Sequence, residues 1–208
     1  GFGAGLNFLA VLLLLNKFPN CQLDYISCES RPLTYDVMCK VHAIFPALTN
    51  ISKEFLVNMP PRWPGMHLRH FFQGQVRLHL LYGDAETYLA DADFHADVWF
   101  LDGFTPAKNP EIWSNSLLAH VGRLTRSGGS LSSFTAAGSV RRGLTKAGFT
   151  ITKYPGFGQK RDMIKGKKIG KLLKNDGFDK VGIIGGGIAG ASVAAGLRNR
   201  GINATILE

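Results

Sequence analysis

The sequence predicts an α/β protein, since glycine-rich loops and short apolar runs alternate with helix-like segments along its 208 residues. One glycine fingerprint occupies residues 1–5, and a second occupies residues 185–190. Loops of this kind join a strand to a helix, and their backbone amides bind the phosphate or sugar of a nucleotide. Two of them so far apart predict two cofactor sites in two Rossmann-like pieces.

The second fingerprint lies in the stronger context. The run 180–184 is short and partly β-branched, as expected for a parallel strand buried on both faces. Gly185, Gly187 and Gly190 follow it with G-x-G-x-x-G spacing. In this motif the first glycine permits a tight turn, the second lets the backbone approach a pyrophosphate, and the third allows close helix packing.

A βαβ unit continues beyond these glycines. Residues 189–200 predict a helix, residues 204–207 predict the next strand, and Glu208 stands where an acid holds ribose hydroxyls. This order of elements predicts a dinucleotide site. The residue types resemble those of FAD-binding amine oxidoreductases more than those of nicotinamide dehydrogenases, but the spacing alone leaves both cofactors open.

The first fingerprint has the same order of elements. An apolar run at 8–15 predicts a buried helix, because it is too short to cross a bilayer and no charged targeting region precedes it. A strand at 23–28 then ends at Glu29, again placed for ribose hydroxyls. No strand leads into residue 1, and the second unit stops at its acid. We therefore expect a fragment of a longer, bifunctional enzyme.

The segment 102–110 is the strongest candidate for chemistry. A predicted buried strand at 98–101 delivers Asp102 to the carboxyl edge of the sheet, where open α/β sheets bind ligands. A carboxylate there can accept a hydrogen bond from a substrate amine and stabilise the charge that develops on nitrogen. Phe104 can stack on a nucleobase. For Trp113, stacking on a base and packing in the core are about equally expected.

Positive charge is concentrated in one part of the chain. Residues 123–180 hold 14 Lys or Arg and three acids, whereas the rest of the chain holds 10 basic and 12 acidic residues. A basic block on an otherwise neutral protein predicts a polyanion partner such as RNA. The residues assigned to this surface are Arg141, Arg142, Lys153, Lys160 and Arg161. A solvated linker is predicted over 166–179.

Composition favours a soluble cytoplasmic enzyme. Hydrophobic residues make up 45% of the chain and charged residues 19%, which suits one full domain and the start of another. Three cysteines form no C-x-x-C pair, and their odd number argues against a disulfide framework. A hairpin predicted at 66–82 could bring His67, His70 and His79 together, yet we expect no metal site there.

The remaining segments fit one α/β domain that ends near residue 165. The predicted helices lie at 32–45, 52–57, 112–124 and 139–147. The predicted strands lie at 66–72, 75–82, 98–101, 129–134, 149–154 and 161–165. Pro110 is expected to open the third of these helices and Gly148 to close the fourth.

Together these features resemble class I methyltransferases that use S-adenosylmethionine. The resemblance rests on the first glycine loop, Glu29, the Gly-Asp-Ala run at 83–85 and Asp102. Longer matches, which include Asp-Gly-Phe-Thr-Pro-Ala-Lys-Asn-Pro, lie at 1–8, 102–110, 134–144 and 156–163. They resemble one family, the bacterial bifunctional tRNA 5-methylaminomethyl-2-thiouridine biosynthesis proteins.

This resemblance implies a two-step modification of the wobble uridine in the anticodon region of tRNA. An FAD-dependent domain would convert carboxymethylaminomethyl-uridine to aminomethyl-uridine, and a methyltransferase domain would methylate that amine from S-adenosylmethionine. The resemblance implies a class I methyltransferase domain over 1–165 with its first strand missing. A basic linker over 166–179 and the first βαβ unit of an FAD-binding Rossmann domain over 180–208 would follow.

The resemblance also implies roles for single residues. The residues placed around S-adenosylmethionine are Gly1, Gly3, Gly5, Glu29 and Asp84. Glu29 would bind the ribose hydroxyls, Asp84 would lie near the adenine, and Asp102 would lie near the substrate amine. Phe104 and Lys108 are assigned to RNA binding together with the basic residues.

Two other classes of protein stay open. One is a flavin or nicotinamide oxidoreductase with two dinucleotide sites, against which the Gly-Asp-Ala run and Asp102 argue. The other is a non-catalytic RNA-binding module that uses the basic block. The glycine loop and its acid for ribose hydroxyls argue against this class, because binding RNA does not need them. Binding of S-adenosylmethionine would decide against the first, and loss of activity on replacing Asp102 would decide against the second.

Overall fold

The computed structural model describes residues 1–156, 158, 161–170, 180–198 and 202–207. The chain divides into two compact units, one made of residues 2–82 with 175–208 and the other of residue 1 with 83–174. We call the first the glycine-loop unit and the second the Asp102 unit. Their boundary falls inside the predicted domain 1–165.

The main part of the glycine-loop unit is a three-stranded sheet covered by helices. Its helices are α1 (Leu6–Leu15), α2 (Tyr35–Ala43) and α3 (Thr49–Val57), and its strands are β1 (Leu23–Glu29), β2 (Gly65–Phe71) and β3 (Val76–Tyr82). The central strand β3 is parallel to β1 and antiparallel to β2. This confirms the predicted hairpin and the strand that leads to Glu29. α2 begins three residues later than predicted, because Thr34 caps it by accepting from Val37 N.

An aromatic cluster packs these helices against one face of the sheet. Phe8, Phe55 and Phe71 are at most 2% exposed, and their ring centroids lie 5.3 to 6.2 Å apart. Leu78 of β3 is fully buried in the same core. Each aromatic ring removes roughly 150–250 Å² from water, so this cluster is a large part of what stabilises the unit. The outer side of α1 stays exposed, so the run predicted as a buried helix is buried on one side only.

A charged cluster occupies the other face of the same sheet. Asp24 of β1 lies opposite Arg77 of β3, whose Nε donates to Asp24 Oδ1 at 2.6 Å. His79 Nε2 lies 2.9 Å from the same oxygen. Hydrogen bonds from Arg77 and, secondly, from His79 hold the pKa of the Asp24 carboxyl far below its usual value. Arg77 is only 8% exposed, so its charge is stabilised by this pairing rather than by water.

We expect Asp24→Asn to lower the free energy of unfolding by about 2 kcal/mol at neutral pH, because it leaves Arg77 buried beside a neutral amide. Asp24 itself is half-exposed, which keeps the cost below that of a fully buried pair. The Asp24 carboxyl titrates at lower pH in the folded chain than in the unfolded chain. Its contribution is therefore complete above about pH 4 and falls as the pH drops below that value. Urea unfolding of both proteins at neutral and acidic pH measures this, and a difference that does not shrink in acid would contradict it.

The hairpin does not gather its three histidines. Neighbouring residues of a strand point to opposite faces, so His67, which packs 5.0 Å from the Tyr82 ring, lies on the face opposite His70 and His79. Within the part of the chain that the structure describes, no three His, Cys, Asp or Glu side chains are grouped to hold a metal ion. Likewise, none of the described helices is long and apolar enough to cross a membrane.

The Asp102 unit is built on a four-stranded sheet. Its strands are β4 (Ala96–Leu101), β5 (Thr125–Ser133), β6 (Phe149–Pro155) and β7 (Asp162–Lys168), and its helices are α4 (Ala85–Asp91), α5 (Asn115–Arg123) and α6 (Gly138–Lys146). The order across the sheet is β4–β5–β7–β6, and β7 alone among these four runs in the opposite direction. The strands predicted at 149–154 and 161–165 are thus both present, and they pair antiparallel to each other. Val140, Leu144, Phe149 and Ile164 are fully buried where α6 packs on the sheet.

Several predicted boundaries in this unit change, and β5, for example, begins at Thr125 instead of residue 129. The helix predicted at 112–124 starts later, because Pro110 opens only a single 3-10 turn. Ser114 then caps α5 by accepting from Leu117 N at 3.0 Å. β7 extends to Lys168, since it stays paired with β6 to its end. The first three residues of the predicted linker therefore belong to a strand.

Strand β4 is less buried than predicted. Val98 and Phe100 are 55% and 50% exposed. They alternate with Trp99 and Leu101, which pack against the core shared with α5 and α6. The prediction of a buried strand therefore holds for one face and is wrong for the other, because in the described part of the unit the helices cover one face only.

A βαβ element lies near the end of the chain. β8 (Lys180–Ile184) pairs in parallel with β9 (Asn203–Leu207), and α7 (Ile188–Arg198) joins them. The predicted order of strand, helix and strand is confirmed. The prediction that β8 is buried on both faces is wrong, since Ile184 is 90% exposed. In the described part of this element a single helix, α7, packs on the two-stranded sheet, and it can cover only one face of that sheet.

Candidate functional site

The glycine loop leaves room for a ligand directly on its backbone. Gly3 and Gly5 have φ angles of 57° and 74°, in the left-handed region that favours glycine. A side chain at Gly5 would lie 2.9 Å from the ring of Phe2. A Cβ at Gly3, in contrast, would meet no atom within 4 Å. The space beside Gly3 is therefore open, while Gly5 turns the chain tightly into α1.

Glu29, the last residue of β1, reaches back to this loop. Its Oε2 accepts from Gly3 N at 2.8 Å, and its Oε1 accepts from Arg31 N at 2.8 Å. Carboxylate oxygens have further lone pairs, so the side chain is held in place and can still accept from the hydroxyls of a ribose. The structure thus brings together two of the predicted cofactor residues, Gly3 and Glu29.

A buried histidine, His42, also contacts the glycine loop, and sequence reasoning missed it. It is 4% exposed. Its Nε2 lies 2.7 Å from Ala4 O, and its Nδ1 lies 2.6 Å from Ser52 Oγ. His42 belongs to α2 and Ser52 to α3, so these contacts tie the loop to both helices. Ala4, His42 and Ser52 are too far apart in the sequence to form a motif with a recognisable spacing. A single histidine between apolar residues is also typical of a core position.

Two other predicted cofactor residues have different contacts. Asp84 caps α4, since its Oδ1 accepts from Thr87 N at 2.8 Å and from Thr87 Oγ1 at 2.9 Å. These hydrogen bonds lower the pKa of the Asp84 carboxyl. Its placement near an adenine stays a prediction. Gly1 groups with the Asp102 unit, where its nitrogen lies 3.3 Å from the carbonyl oxygen of Asp102.

Asp102 stands directly beyond the end of β4 and is exposed. Its Oδ1 accepts from Gly103 N at 2.8 Å, which orients the carboxylate at the start of the following loop. The end of β4 lies beside the end of β5, because Leu101 pairs with Ser133. An exposed, oriented carboxylate at this edge is able to accept a hydrogen bond from an amine.

A core tryptophan holds the loop that follows Asp102. Trp113 is 9% exposed, packs edge-on against Phe134 at 6.2 Å, and donates from Nε1 to Phe104 O at 2.8 Å. The ring of Phe104 is 70% exposed. Lys108 is exposed as well, at a turn in which its backbone N donates to Thr105 O. Of the two aromatic residues considered for base stacking, Phe104 is accessible and Trp113 belongs to the core.

Other residues predicted to bind RNA emerge at the same edge of the sheet. Near this edge, one residue of each strand pairs with its neighbour on the next strand, and across the sheet these residues are Leu101, Ser133, Ile164 and Lys153. Arg161 directly precedes β7, two strands from Asp102, and adjacent strands lie about 4.8 Å apart. Asp102 and Arg161 therefore leave the sheet roughly 10 Å from each other. Arg141 lies in the first turns of α6 at this edge, and Lys160 lies outside the described residues.

Several basic side chains of the Asp102 unit are engaged in the fold itself. Arg141 Nε donates to Ala136 O at 3.2 Å. Lys153 pairs with Asp162 at 2.7 Å, and this ion pair is the main cause of a lowered pKa of the Asp162 carboxyl. Lys168 donates to a carbonyl at the carboxyl end of α6, and burial lowers its pKa. These cations have less freedom to contact a partner.

Arg142 and Lys146 form an outer ridge on α6. They lie one helical turn apart and are both exposed. Two open surface depressions, of about 430 and 260 Å³, flank this ridge, and both residues line both depressions. Residues 138–170 contain nine Lys or Arg but a single acid, Asp162, which Lys153 already neutralises. The ridge therefore stands in a strongly positive part of the surface.

The second glycine fingerprint has the geometry of a nucleotide loop. Gly185 has a φ angle of 96°. A Cβ at Gly190 would overlap the carbonyl oxygen of Gly185, so only glycine lets α7 approach the loop this closely. A Cβ at Gly187 would meet no atom within 4 Å, which leaves that backbone accessible. Glu208 and residues 171–179 of the predicted linker lie outside the part of the chain that the structure describes.

Known proteins match the chain along its whole length. Residues 46–169 match a family described as S-adenosyl-L-methionine-dependent methyltransferase. The tRNA 5-methylaminomethyl-2-thiouridine biosynthesis bifunctional protein MnmC of Magnetococcus marinus is 41% identical, and that of Hydrogenovibrio crunogenus is 40% identical. Each comparison covers 100% of this chain and 33% of the relative. The chain thus spans about a third of the length of these curated relatives.

A solved structure shares the fold. The crystal structure of MNMC2 from Aquifex aeolicus aligns with a TM-score of 0.64 and 25% sequence identity. The alignment covers 84% of this chain and 54% of that one. Both chains therefore have the same α/β architecture over most of the length described above.

Proposed function

Since the chain belongs to the family of S-adenosyl-L-methionine-dependent methyltransferases, we propose that it methylates an aminomethyl group on the wobble uridine of tRNA. The names of its relatives support this substrate, since they are proteins of tRNA 5-methylaminomethyl-2-thiouridine biosynthesis. The observation that carries the proposal is the edge of the Asp102 unit. An exposed carboxylate, an exposed aromatic ring and a basic surface lie there on neighbouring strands and loops. These groups can bind the amine, the base and the phosphates of a nucleic acid, respectively.

The glycine loop fits S-adenosylmethionine. The open space beside Gly3 suits a ligand that lies on the backbone, and the oriented carboxylate of Glu29 suits its ribose hydroxyls. Gly5 supports this geometry by turning the chain into α1. When bound, S-adenosylmethionine supplies a methyl group on a positively charged sulfur. Gly3 and Glu29 would hold its nucleoside part in place.

The residues of the Asp102 unit would prepare the amine. Asp102 accepts a hydrogen bond from the amine N–H, which orients the nitrogen lone pair and stabilises the positive charge that grows as the N–C bond forms. The proton that nitrogen loses afterwards leaves through this exposed carboxylate to solvent. The ring of Phe104 would stack on the uracil, while Lys108 and the exposed arginines would hold nearby phosphates.

We also propose that the βαβ element begins the FAD-dependent part of the enzyme, which would produce the amine from a carboxymethylaminomethyl group. The close approach of Gly190 to Gly185 and the open backbone at Gly187 support a dinucleotide ligand there. The proposed domains are 1–165 for methyl transfer and 180–208 for the start of the FAD-binding part. Both would act on tRNA in the cytoplasm.

Methylation of a defined tRNA tests the proposal. The intact enzyme, given S-adenosylmethionine and tRNA with aminomethyl-uridine at the wobble position, should produce methylaminomethyl-uridine, which mass analysis of the nucleosides detects. The same tRNA with unmodified uridine is the control and should remain unchanged. Methylation at another position, or none at all, would refute the proposed substrate.

Salt dependence tests the basic surface. We expect replacement of Arg142, Lys146 and Arg161 by Gln to weaken tRNA binding and to reduce the log–log salt slope by about one unit for each phosphate that is no longer neutralised. Arg141→Gln should have a smaller effect on the slope, because its guanidinium already binds Ala136 O. Lys53→Gln, an exposed charge on α3, is the matched control and should leave the slope unchanged. A triple variant with the slope of the wild type would show that these residues do not contact the nucleic acid.

A further inference from the structure

His42 connects the interior of the glycine-loop unit to the predicted cofactor site. One hydrogen bond joins His42 Nδ1 and Ser52 Oγ, and another joins His42 Nε2 and Ala4 O. On the other side of Ala4, the N–H of Gly3 donates to Glu29. The loop is therefore held from the core by His42 and at the ligand side by Glu29.

The residues that flank Ala4 explain why such a contact matters. Gly3 and Gly5 both have positive φ angles, and glycine backbones have more accessible conformations than any other residue. A peptide with glycine on each side has little tendency of its own to keep one orientation. The buried ring of His42, which packs 5.9 Å from Phe55, gives the Ala4 carbonyl a fixed partner.

We propose that His42 is a positioning residue for S-adenosylmethionine, which fixes the Ala4 peptide in the orientation that the cofactor requires. This inference rests on the proposed binding of S-adenosylmethionine to the glycine loop. A carbonyl oxygen only accepts hydrogen bonds, so Nε2 of His42 carries the proton and donates. In the neutral ring, Nδ1 then accepts from the Ser52 hydroxyl, and both buried polar groups are satisfied.

Two substitutions separate this role from simple packing. The amide nitrogen of Gln reaches about as far as Nε2 and can donate to Ala4 O, whereas Asn is too short and keeps only the hydrogen bond toward Ser52. We expect His42→Asn to weaken binding of S-adenosylmethionine and S-adenosylhomocysteine by about tenfold or more in calorimetry. We expect His42→Gln to stay within about threefold of the wild type. At saturating cofactor, the rate of methyl transfer by the Asn variant should stay within about twofold.

Equal losses of affinity in the Asn and Gln variants, or an Asn variant that binds like the wild type, would overturn the proposal. Thermal unfolding shows whether each variant is folded. A measurement on the wild type does not depend on the variants, because the ¹⁵N shifts of the His42 ring report its tautomer. A ring with the proton on Nδ1 would also overturn the proposal. If cofactor binding depends on His42 as expected but aminomethyl-uridine in tRNA stays unmethylated, the proposed substrate is wrong and the role of His42 stands.

Discussion

Asp102→Asn is expected to slow methyl transfer by on the order of 10²-fold or more, with little change in the affinity for S-adenosylmethionine. Asparagine keeps the shape of the side chain and an oxygen that accepts from Gly103 N. It lacks the negative charge, so the positive charge that grows on the amine nitrogen loses its partner in the transition state. Single-turnover rates at saturating enzyme separate this chemical step from tRNA binding.

Asp97→Asn is the matched control for this prediction. Asp97 belongs to β4, the strand that leads to Asp102, and it is exposed as Asp102 is; it pairs with Arg126 at 3.2 Å. An exposed ion pair of this kind contributes about 1 kcal/mol or less to stability, so the rate should stay close to that of the wild type. If the Asp102 variant transferred methyl groups as fast as the control, Asp102 would have no part in the reaction.

Glu29→Gln is expected to weaken binding of S-adenosylmethionine by between about 10- and 100-fold, because hydrogen bonds to a charged group contribute roughly 1.5–3 kcal/mol each. The substitution also disturbs the loop. In the native protein both carboxylate oxygens accept backbone N–H groups, from Gly3 and from Arg31. A glutamine amide must turn its NH₂ group toward one of these donors, and that donor then has no acceptor.

Calorimetry with S-adenosylhomocysteine measures this weakening without any contribution from tRNA. Glu54→Gln, which removes an exposed charge from α3 of the same unit, serves as the control and should bind normally. At saturating cofactor, methyl transfer by the Glu29 variant should recover most of its rate, since Glu29 is not proposed to contact the amine. An unchanged affinity would remove Glu29 from the cofactor site.

Much of the fold could be predicted from local patterns. The prediction of an α/β methyltransferase domain is confirmed by the family match and by the shared fold, and the mixed sheets fit class I. The hairpin at 66–82, the strand that ends at Glu29 and the helix that ends before Gly148 follow from alternation, turn residues and glycine caps. Such signals lie within a few neighbouring residues, so one sequence is enough to find them. The position of Asp102 at the carboxyl end of its strand follows in the same way, because it comes directly after the apolar run at 98–101.

The remaining features depend on contacts between distant parts of the chain. The exposure of Val98 and Ile184 depends on which faces the helices cover, and an apolar run does not reveal this. The link from Ser52 through His42 to Ala4 joins three segments and has no motif. Asp84 resembles a cofactor residue in its sequence context, yet its hydrogen bonds to Thr87 are those of a helix cap, which the same context allows.

The indole of Trp113 anchors the loop at 102–110 to the core, because its buried ring donates from Nε1 to Phe104 O. For the loop to open alone, the buried Nε1–H would have to leave Phe104 O without a new partner, at a cost of about 1–3 kcal/mol. A cost of this size opposes opening of the loop on its own. The backbone around Asp102 is therefore held before a ligand binds. If the proposed substrate is right, little of the free energy of tRNA binding would be spent on ordering this backbone.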